Sequence, residues 1–328
     1  MDDDKKTVNA LKDKVLSGKM IDKEEAMALM KAPFDELCGA AEEIRKYFCG
    51  NGFDLCSITN GKCGRCSEDC KFCAQSAHHD TDIDIYPLKS GEEMAEEAAR
   101  SASQGILRFS IVTSGRSLSS EEIDSVCESI REIKKKADIE VCVSLGLTDE
   151  DDFRRIKEAG ASRVHCNLET SRNFFPSICT THTYDDKIRT LKAARAAGLS
   201  ICSGGIMGTG ESPEDRIDMA FTLKDLGVKS VPVNFLSPIK GTPLENNKSL
   251  SDYEKHRIIA IYRFIIPDAS IRLAGGRGSM ADKGEGCFRS GANAAISGDM
   301  LTMGFVPERM RAMSLIRSMG FVPELHEK

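Results

Sequence analysis

The sequence predicts an α/β protein built as a (β/α)8 barrel of the TIM type, with a helical extension in front of it. From about residue 53 almost to the C-terminus, short β-rich runs alternate with amphipathic helical stretches, which is the pattern of parallel βα units. The runs number eight, the count of a closed barrel, and eight units fit the ~250 residues that such a barrel usually takes. A doubly wound open sheet is the alternative that this alternation leaves open.

The first fifty residues lack β-rich runs. Val8, Leu11 and Val15 follow a spacing near 3.6 with charged residues between them, and a second apolar series runs from Ala26 to Phe34. We therefore expect an N-terminal helical extension over residues 1–50 and the barrel, with a C-terminal cap, over residues 51–328.

The predicted strands each carry β-branched or other apolar residues between turn signals. In chain order they cover residues 55–59, 107–112, 140–145, 163–168, 200–206, 230–236, 270–275 and 293–297. Helices are predicted between them at 121–137, 151–160, 184–198 and 213–227. The last three end near Gly160, Gly198 and Gly227, and glycine tolerates the left-handed backbone that commonly ends a helix. In such barrels the chemistry lies at the C-terminal ends of the strands.

Composition narrows the class of protein. The chain is 41% hydrophobic and 29% charged, as a globular protein is, and its net charge of -6 offers no basic field for nucleic acid. The charged N-terminus resembles no signal peptide, and no apolar run approaches the ~18 residues of a membrane span, so we expect a cytoplasmic protein. Thirteen cysteines in a reducing compartment favour metal or cluster ligation over disulfides.

The most informative segment is GRCSEDCKFCAQSA, which follows the first predicted strand. Cys66, Cys70 and Cys73 form a C-x3-C-x2-C pattern there. Three thiolates on one short loop can hold three irons of a 4Fe-4S cluster and leave the fourth iron open. An open iron can take the amino and carboxylate groups of S-adenosylmethionine, whose reductive cleavage supplies a radical.

A structural zinc site is the rival interpretation of these cysteines. Cys63 and Cys66 also form C-x2-C, but no second C-x2-C or H-x3-H pair stands at a suitable distance to close four ligands. A non-catalytic zinc or iron-sulfur protein would contain metal without cleaving S-adenosylmethionine. The six histidines form no H-x-x-H or H-E-x-x-H pair, so none is assigned to a metal, and His165 and His182 are expected to be packing or surface residues.

The position and spacing of the three cysteines are typical of the radical S-adenosylmethionine superfamily. The further segments HCNLETS, TTHTYDDKI, CSGGIMGTGE, VPVNFLSPIKGTPL and IRLAGGRGSM, taken in this order, resemble the biotin synthase family from about residue 20 to the end. The resemblance implies a 5′-deoxyadenosyl radical, dethiobiotin as substrate, and an auxiliary iron-sulfur cluster that supplies the inserted sulfur. A relative of the hydrogenase maturases or of methylornithine synthase is the nearest alternative.

The resemblance also implies ligands for the auxiliary cluster, which are usually three cysteines and an arginine. The matching positions are Ser110, Cys142, Cys202 and Arg272, so a serine stands where one cysteine is expected. Serine is a poor iron ligand, which leaves open whether the cluster is 2Fe-2S or a four-iron type. We expect Cys56 to replace the missing thiolate, because a closed barrel makes the first strand a neighbour of both the second and the eighth.

Other spare cysteines are weaker candidates for this ligand. Strand alternation puts Cys63 on the face opposite Cys56, and Cys166 and Cys179 lie on later segments. A rival hypothesis is that Ser110 removes the auxiliary cluster and the protein performs other radical chemistry.

The resemblance assigns substrate contacts to two asparagines at strand ends. Asn167, at the C-terminal end of the fourth strand, would contact dethiobiotin, and Asn234, at the end of the sixth, would bind its ureido ring, to which an amide can both donate and accept. Lys62, just before the cysteine loop, is a further candidate for substrate or cofactor binding. A buried asparagine that satisfies a loop and a solvent-exposed lysine are the alternatives.

Four residues are expected to contact S-adenosylmethionine. By the resemblance, Glu169 would accept hydrogen bonds from the ribose hydroxyls, and Lys187 would lie near the carboxylate. Phe72 stands beside the expected adenine position, and Thr113 follows the second strand. The family also implies a homodimer and an electron donor such as flavodoxin or ferredoxin.

Overall fold

The computed structural model describes residues 2–297 and 314–325. Three helices come first: α1 (Asp2–Leu16), α2 (Lys23–Ala28) and α3 (Phe34–Cys49). Asp22 caps α2 by accepting a hydrogen bond from the Glu25 backbone, while the Glu25 side chain accepts one from the Asp22 amide. These helices lie where the sequence predicts them; the domain boundary at residue 50 stays a prediction.

A closed parallel barrel follows. Its strands are β1 (Gly52–Lys62), β2 (Arg108–Thr113), β3 (Glu140–Ser144), β4 (Ala161–His165), β5 (Ser200–Cys202), β6 (Gly205–Met207), β7 (Ser230–Phe235), β8 (Ser270–Leu273) and β9 (Ala294–Ser297). Each strand from β1 to β4 pairs with the next, both β5 and β6 pair with β7, and β7, β8 and β9 follow in order. β9 then pairs with β1, which closes the barrel. The closure confirms the predicted (β/α)8 barrel and excludes the open sheet. A short strand, β10 (Val322–Pro323), extends the edge of β1 at Gly52.

The helices that surround the barrel connect its strands. They are α4 (Gly91–Ser103), α5 (Ser120–Lys136), α6 (Glu150–Ala159), α7 (Tyr184–Ala196), α8 (Pro213–Asp225), α9 (Asp252–Ile265) and α10 (Glu285–Arg289). The glycines predicted to end α6, α7 and α8 have φ of 115°, 78° and 65° at Gly160, Gly198 and Gly227. In the extension, α1 packs on α3 and α3 packs on α9.

Several strands differ in extent from the prediction; β4, for example, covers Ala161–His165 and not 163–168, so Asn167 follows the strand. The predicted strand at 200–206 is split into β5 and β6, and between them Gly204 approaches β7 so closely that a Cβ there would lie 1.8 Å from the Pro232 carbonyl oxygen. β1 begins and ends beyond residues 55–59 and includes Asp54 and Asn60, polar residues that conceal a strand in a sequence. The predicted C-terminal cap falls in part on residues outside the described ranges.

Within residues 2–297 and 314–325, no helix combines the length and the apolar character needed to cross a lipid bilayer.

Candidate active site

The lower part of the barrel interior holds one carboxylate among three guanidinium groups. Arg108 Nε donates a 2.9 Å hydrogen bond to Asp54 Oδ2, Arg272 Nη2 lies 3.0 Å from Asp54 Oδ1, and Arg163 Nη1 lies 3.8 Å from Oδ2. Burial opposes ionisation of Asp54, but Arg272, Arg108 and Arg163 hold the pKa of its carboxyl well below the usual range. All four side chains are buried, so this cluster forms a charged floor inside the barrel.

A cavity lies on this floor, and three thiols face it. Cys56 on β1, Cys142 on β3 and Cys202 on β5 line it together with Arg272 and Ser110. Strand register explains the grouping: Ser110 is the Cα partner of Cys142, and alternate residues of a strand point to the same face. The arginine, the serine and the two cysteines of the predicted set therefore meet in one place, and Cys56 is there with them.

Cys202 differs electrostatically from the other two thiols. Its Sγ lies 3.4 Å from His165 Nδ1 and accepts a 3.2 Å hydrogen bond from Ser230 Oγ. Burial raises the pKa of Cys202, but His165, Arg272 and Arg163 outweigh it and lower the pKa to about 7. Burial raises the pKa of Cys56 and Cys142. Because soft thiolates are the preferred ligands of iron-sulfur clusters, three thiols around one cavity fit such a group.

The remaining spare cysteines lie elsewhere. The Cys63 backbone pairs with Tyr86 through hydrogen bonds of 3.1 and 3.2 Å, and its side chain does not line the cavity. Cys166 lies near Lys187, and Cys179 is next to Cys70. Among the spare cysteines, Cys56 alone lines this cavity as the described residues form it.

The C-x3-C-x2-C cysteines lie on the loop between β1 and α4. Backbone hydrogen bonds fold this loop: the Cys66 amide donates to the Gln75 carbonyl at 2.9 Å, and the Cys73 amide donates to the Cys70 carbonyl at 2.9 Å. Burial raises the pKa of Cys73 to about 11, with further contributions from nearby Cys66 and Glu169. All three cysteines are half-buried, and the loop brings them to the C-terminal end of β1.

Two polar atoms near this loop have no hydrogen-bond partner among the described residues. They are Glu169 Oε2, just after β4, and Thr113 Oγ1, at the end of β2, and both atoms are buried. Burial raises the pKa of Glu169, while Lys187 opposes the shift. Lys187 itself makes no hydrogen bond or ion pair within the described part of the chain, although Cys166 and Glu169 raise its pKa against the effect of burial. These unsatisfied groups fit a polar ligand beside the cysteine loop.

Both predicted asparagines hold backbone at the top of the barrel. Asn167 Oδ1 accepts a 3.0 Å hydrogen bond from the Gly204 amide. Asn234 accepts one from the Gly275 amide at 2.8 Å and donates one to the Gly205 carbonyl at 3.1 Å. Since an amide can form four hydrogen bonds, each asparagine retains capacity for a ligand while it satisfies the loops.

Comparison with known proteins decides the family. The radical SAM superfamily model matches residues 62–223, and the Biotin and Thiamin Synthesis associated domain matches residues 232–322. Biotin synthase of Brachyspira hyodysenteriae is 55% identical over 322 residues, which are 98% of this chain and 96% of that protein. Biotin synthase 2 of Corynebacterium diphtheriae is 56% identical over 90% of each chain. The chain belongs to the biotin synthase family.

Solved structures of proteins with more distant sequences have a similar fold. Methylornithine synthase superposes with a TM-score of 0.84 at 20% identity, covering 96% of this chain and 98% of that one. The FeFe-hydrogenase maturase HydG from Carboxydothermus hydrogenoformans superposes with a TM-score of 0.81 at 16% identity, covering 97% and 79%. At such identities the likeness concerns the fold alone, so these two alternatives are not favoured. As a biotin synthase family member, the chain is a radical S-adenosylmethionine enzyme with a 4Fe-4S cluster, S-adenosylmethionine and an auxiliary iron-sulfur cluster as cofactors.

Lys62 is not brought into the interior with the other candidates. Its Nζ lies 2.6 Å from Glu122 Oε1 on α5. The pairing of β1 with β2 shifts register between Asn60 and Lys62, which breaks the alternation that would have turned the side chain inward. Phe72 lies half-buried on the cysteine loop itself.

Two histidines that were expected to be packing or surface residues, His165 and His182, contact thiols. His165 faces the cavity, and its position could have been found from strand alternation, since it shares parity with Arg163 and Asn167. His182 lies beside Cys179, with which it forms a C-x2-H pattern that the sequence displays, and beside Glu68, a contact that no spacing in the sequence signals.

Proposed function

We propose that this chain converts dethiobiotin to biotin by radical insertion of sulfur. The observation that carries the proposal is the presence of two separate thiol sites in one barrel. One is the cysteine loop at the C-terminal end of β1, which is the mouth of the barrel. The other is the interior cavity, which is lined by Cys56, Cys142 and Cys202. A radical generated at the first site and sulfur held at the second are the two reagents that the reaction needs.

At the mouth, Cys66, Cys70 and Cys73 would hold the 4Fe-4S cluster. A reduced cluster bound there would supply the electron for cleavage of S-adenosylmethionine to methionine and the 5′-deoxyadenosyl radical. Glu169 would accept hydrogen bonds from the ribose hydroxyls, since its Oε2 is buried without a partner among the described residues. Lys187 would pair with the carboxylate.

Two less constrained contacts complete this cofactor site. Thr113 Oγ1 is buried and would hydrogen-bond to S-adenosylmethionine, since the described residues offer it no partner. Phe72 stands on the loop between Cys70 and Cys73, where its ring can lie against the adenine.

In the interior, Cys56, Cys142, Cys202 and Arg272 would hold the auxiliary cluster. Cys56 would take the part of the thiolate that Ser110 cannot provide. His165 would hydrogen-bond to the Cys202 sulfur, a contact that fixes the ligand and neutralises part of its charge. The iron content of the reconstituted protein would distinguish a 2Fe-2S cluster from a four-iron cluster at this site.

The substrate would lie between the two sites, with Asn167 and Asn234 as its amide contacts. Both side chains are already oriented by backbone hydrogen bonds, which reduces the entropy lost when a ligand is bound. The barrel wall excludes water from this space, which protects a carbon radical from side reactions. An electron donor such as flavodoxin or ferredoxin, a homodimer and a cytoplasmic location are further parts of the proposal, and they rest on the family alone.

The test is anaerobic incubation of the iron- and sulfide-reconstituted protein with reductant, S-adenosylmethionine and dethiobiotin. We expect biotin together with about two molecules of 5′-deoxyadenosine, because two C–H bonds are broken. Formation of 5′-deoxyadenosine without biotin would overturn the substrate assignment and keep the radical chemistry. Formation of neither, in protein with a full complement of iron, would overturn both.

A further inference from the structure

A third group of metal-binding side chains lies where the cysteine loop meets the segment between β4 and α7. Cys70 Sγ and Cys179 Sγ are 3.7 Å apart, and Cys179 Sγ is 3.3 Å from His182 Nδ1. The three ligand atoms all lie within 4.8 Å of one another. Neither Cys179 nor His182 has a part in the two cluster sites proposed above.

The Cys70–Cys179 and Cys179–His182 separations match those around a single tetrahedral ion. With metal–sulfur bonds of ~2.3 Å and metal–nitrogen bonds of ~2.05 Å, tetrahedral angles place two sulfurs ~3.8 Å apart and a sulfur and a nitrogen ~3.5 Å apart. The observed 3.7 and 3.3 Å differ from these values by only a few tenths of an ångström. Two thiolates and an imidazole are also a donor set that Fe²⁺ and Zn²⁺ favour.

The surroundings hold this arrangement in place. Cys179 and His182 are buried, and the His182 ring packs edge-on against Phe175 with centroids 5.6 Å apart. The two segments are tied together where the Thr180 amide donates a 2.8 Å hydrogen bond to Asp69 Oδ1 and the Lys71 amide donates to the Ile178 carbonyl at 2.9 Å. A preformed site loses little freedom on binding an ion.

Glu68 supplies a carboxylate at the same corner. Its Oε2 contacts His182 Nδ1 and Arg116 Nη1 lies 3.4 Å from its Oε1, so Glu68 is a charged neighbour that orients the imidazole and is not one of the three grouped donors. The carboxylate is buried, with an exposed fraction of 7%, which limits competition from water.

We propose that Cys70, Cys179 and His182 bind one thiophilic divalent ion, Fe²⁺ in the cell, before the loop cluster is built. Binding is not a redox step: each thiol releases one proton, and the ion keeps its charge. Because Cys70 is shared, the single ion and the loop cluster exclude one another. That mutual exclusion rests on the proposed function of Cys70, whereas the binding itself does not.

The site therefore places an iron ion on one of the three loop thiolates before sulfide arrives. Exchange of the Cys179 thiolate for hydrosulfide, whose proton returns to Cys179, together with loss of His182, would then free the ion for the loop cluster without a redox change. Cys179 and His182 are therefore expected to affect assembly of the loop cluster when iron is scarce and to have no effect once that cluster is complete.

The test uses Co²⁺ as a spectroscopic probe of the full-length, cluster-free protein. The double variant C66S/C73S removes the loop set but leaves the proposed site intact, and we expect it to bind Co²⁺ with a tetrahedral spectrum and sulfur-to-cobalt charge-transfer bands. Adding Cys179→Ser should remove one equivalent of this cobalt, and adding His182→Asn should weaken its binding at least about tenfold, as loss of a metal contact does. The matched control is Cys166→Ser in the same background, a buried cysteine outside the site.

Cobalt bound at Cys56, Cys142 and Cys202 would be unaffected by Cys179→Ser, so the comparison isolates the proposed site. The proposal is overturned if the double variant shows no tetrahedral cobalt, or if Cys179→Ser and Cys166→Ser give the same spectrum and stoichiometry. Far-ultraviolet circular dichroism of each variant establishes that it is folded. The readout does not depend on biotin formation, so its failure is distinguishable from failure of the proposed function.

Discussion

The two cluster sites are built from different kinds of structure. The cavity thiols stand on regular strands, where register fixes which side chains meet, as with Ser110 opposite Cys142. The loop thiols stand on irregular backbone, which is held by local hydrogen bonds and by its contacts with the Thr180 region. The interior site therefore depends on the stability of the barrel, whereas the loop site depends on a local fold held by these few hydrogen bonds.

The largest expected effect separates the two sites by function. Cys70→Ala should reduce 5′-deoxyadenosine formation to background, because the loop cluster loses one of its three ligands. Cys142→Ala should abolish biotin formation but leave cleavage of S-adenosylmethionine, since the loop remains complete. Mass spectrometry of both products checks the pair, and loss of 5′-deoxyadenosine in Cys142→Ala would show that the sites are not independent.

A second large effect concerns the stability of the interior. Asp54→Asn leaves three buried guanidinium groups without their carboxylate, and we expect the free energy of unfolding to fall by about 3–5 kcal/mol. The control Asp185→Asn removes an exposed pair with Arg172 and should cost less than about 1 kcal/mol. Denaturant unfolding of both variants measures the difference, and equal effects would contradict the role of Asp54.

The same cluster predicts the direction of the pH dependence. The pKa of Asp54 is lower in the folded protein than in the unfolded chain. Its contribution to stability is therefore present above an unfolded pKa near ~3.9 and is lost as the pH falls from there toward the folded value. Unfolding curves of the wild type and Asp54→Asn should converge in acid; a constant difference down to pH ~2 would contradict this.

Ligand exchange in the cavity is a sharper test of the substitution at Ser110. Cys56→Ala should lose the auxiliary cluster's iron while the loop cluster persists. Ser110→Cys adds a thiol that faces the same cavity, so the double variant S110C/C56A should recover iron. Iron analysis with Mössbauer spectroscopy distinguishes the two clusters, and full auxiliary iron in Cys56→Ala alone would remove Cys56 from the ligand set.

Substrate binding should respond more modestly. Asn234→Ala removes hydrogen bonds to the Gly205 carbonyl and from the Gly275 amide, and the proposed contact to the ureido ring. A loss of ~1–2 kcal/mol predicts a KM for dethiobiotin about fivefold to thirtyfold higher. The KM for S-adenosylmethionine should stay within about twofold, and an equal rise in both constants would point to general disruption of the barrel mouth.

The smallest effect is expected at Lys62. Because its ammonium pairs with Glu122 on α5, Lys62→Ala should change the KM for dethiobiotin less than about twofold and stability by less than about 1 kcal/mol. A large rise in KM would mean that the side chain turns into the interior when substrate binds.

The barrel was predictable because its alternation of strands and helices depends on local preferences that a sequence displays. Cys142, Cys202 and Arg272 could be matched to the cavity through resemblance, and Cys56 through barrel closure. The outward placement of Lys62 could not be predicted, because a register shift between Asn60 and Lys62 interrupts the alternation of inward and outward side chains along β1. The contact between His182 and Glu68 could not be predicted for another reason: the two residues meet across 114 residues of sequence on irregular backbone, although the C-x2-H spacing of Cys179 and His182 was visible.

The central claim is that the interior cavity holds the sulfur that enters the product. The most direct measurement reconstitutes the protein with ³⁴S-sulfide, removes free sulfide, and follows the isotopic mass of biotin formed in the first turnover under anaerobic conditions. The account predicts biotin carrying ³⁴S from the wild type and no labelled biotin from Cys142→Ala. First-turnover biotin with sulfur of natural abundance would contradict it.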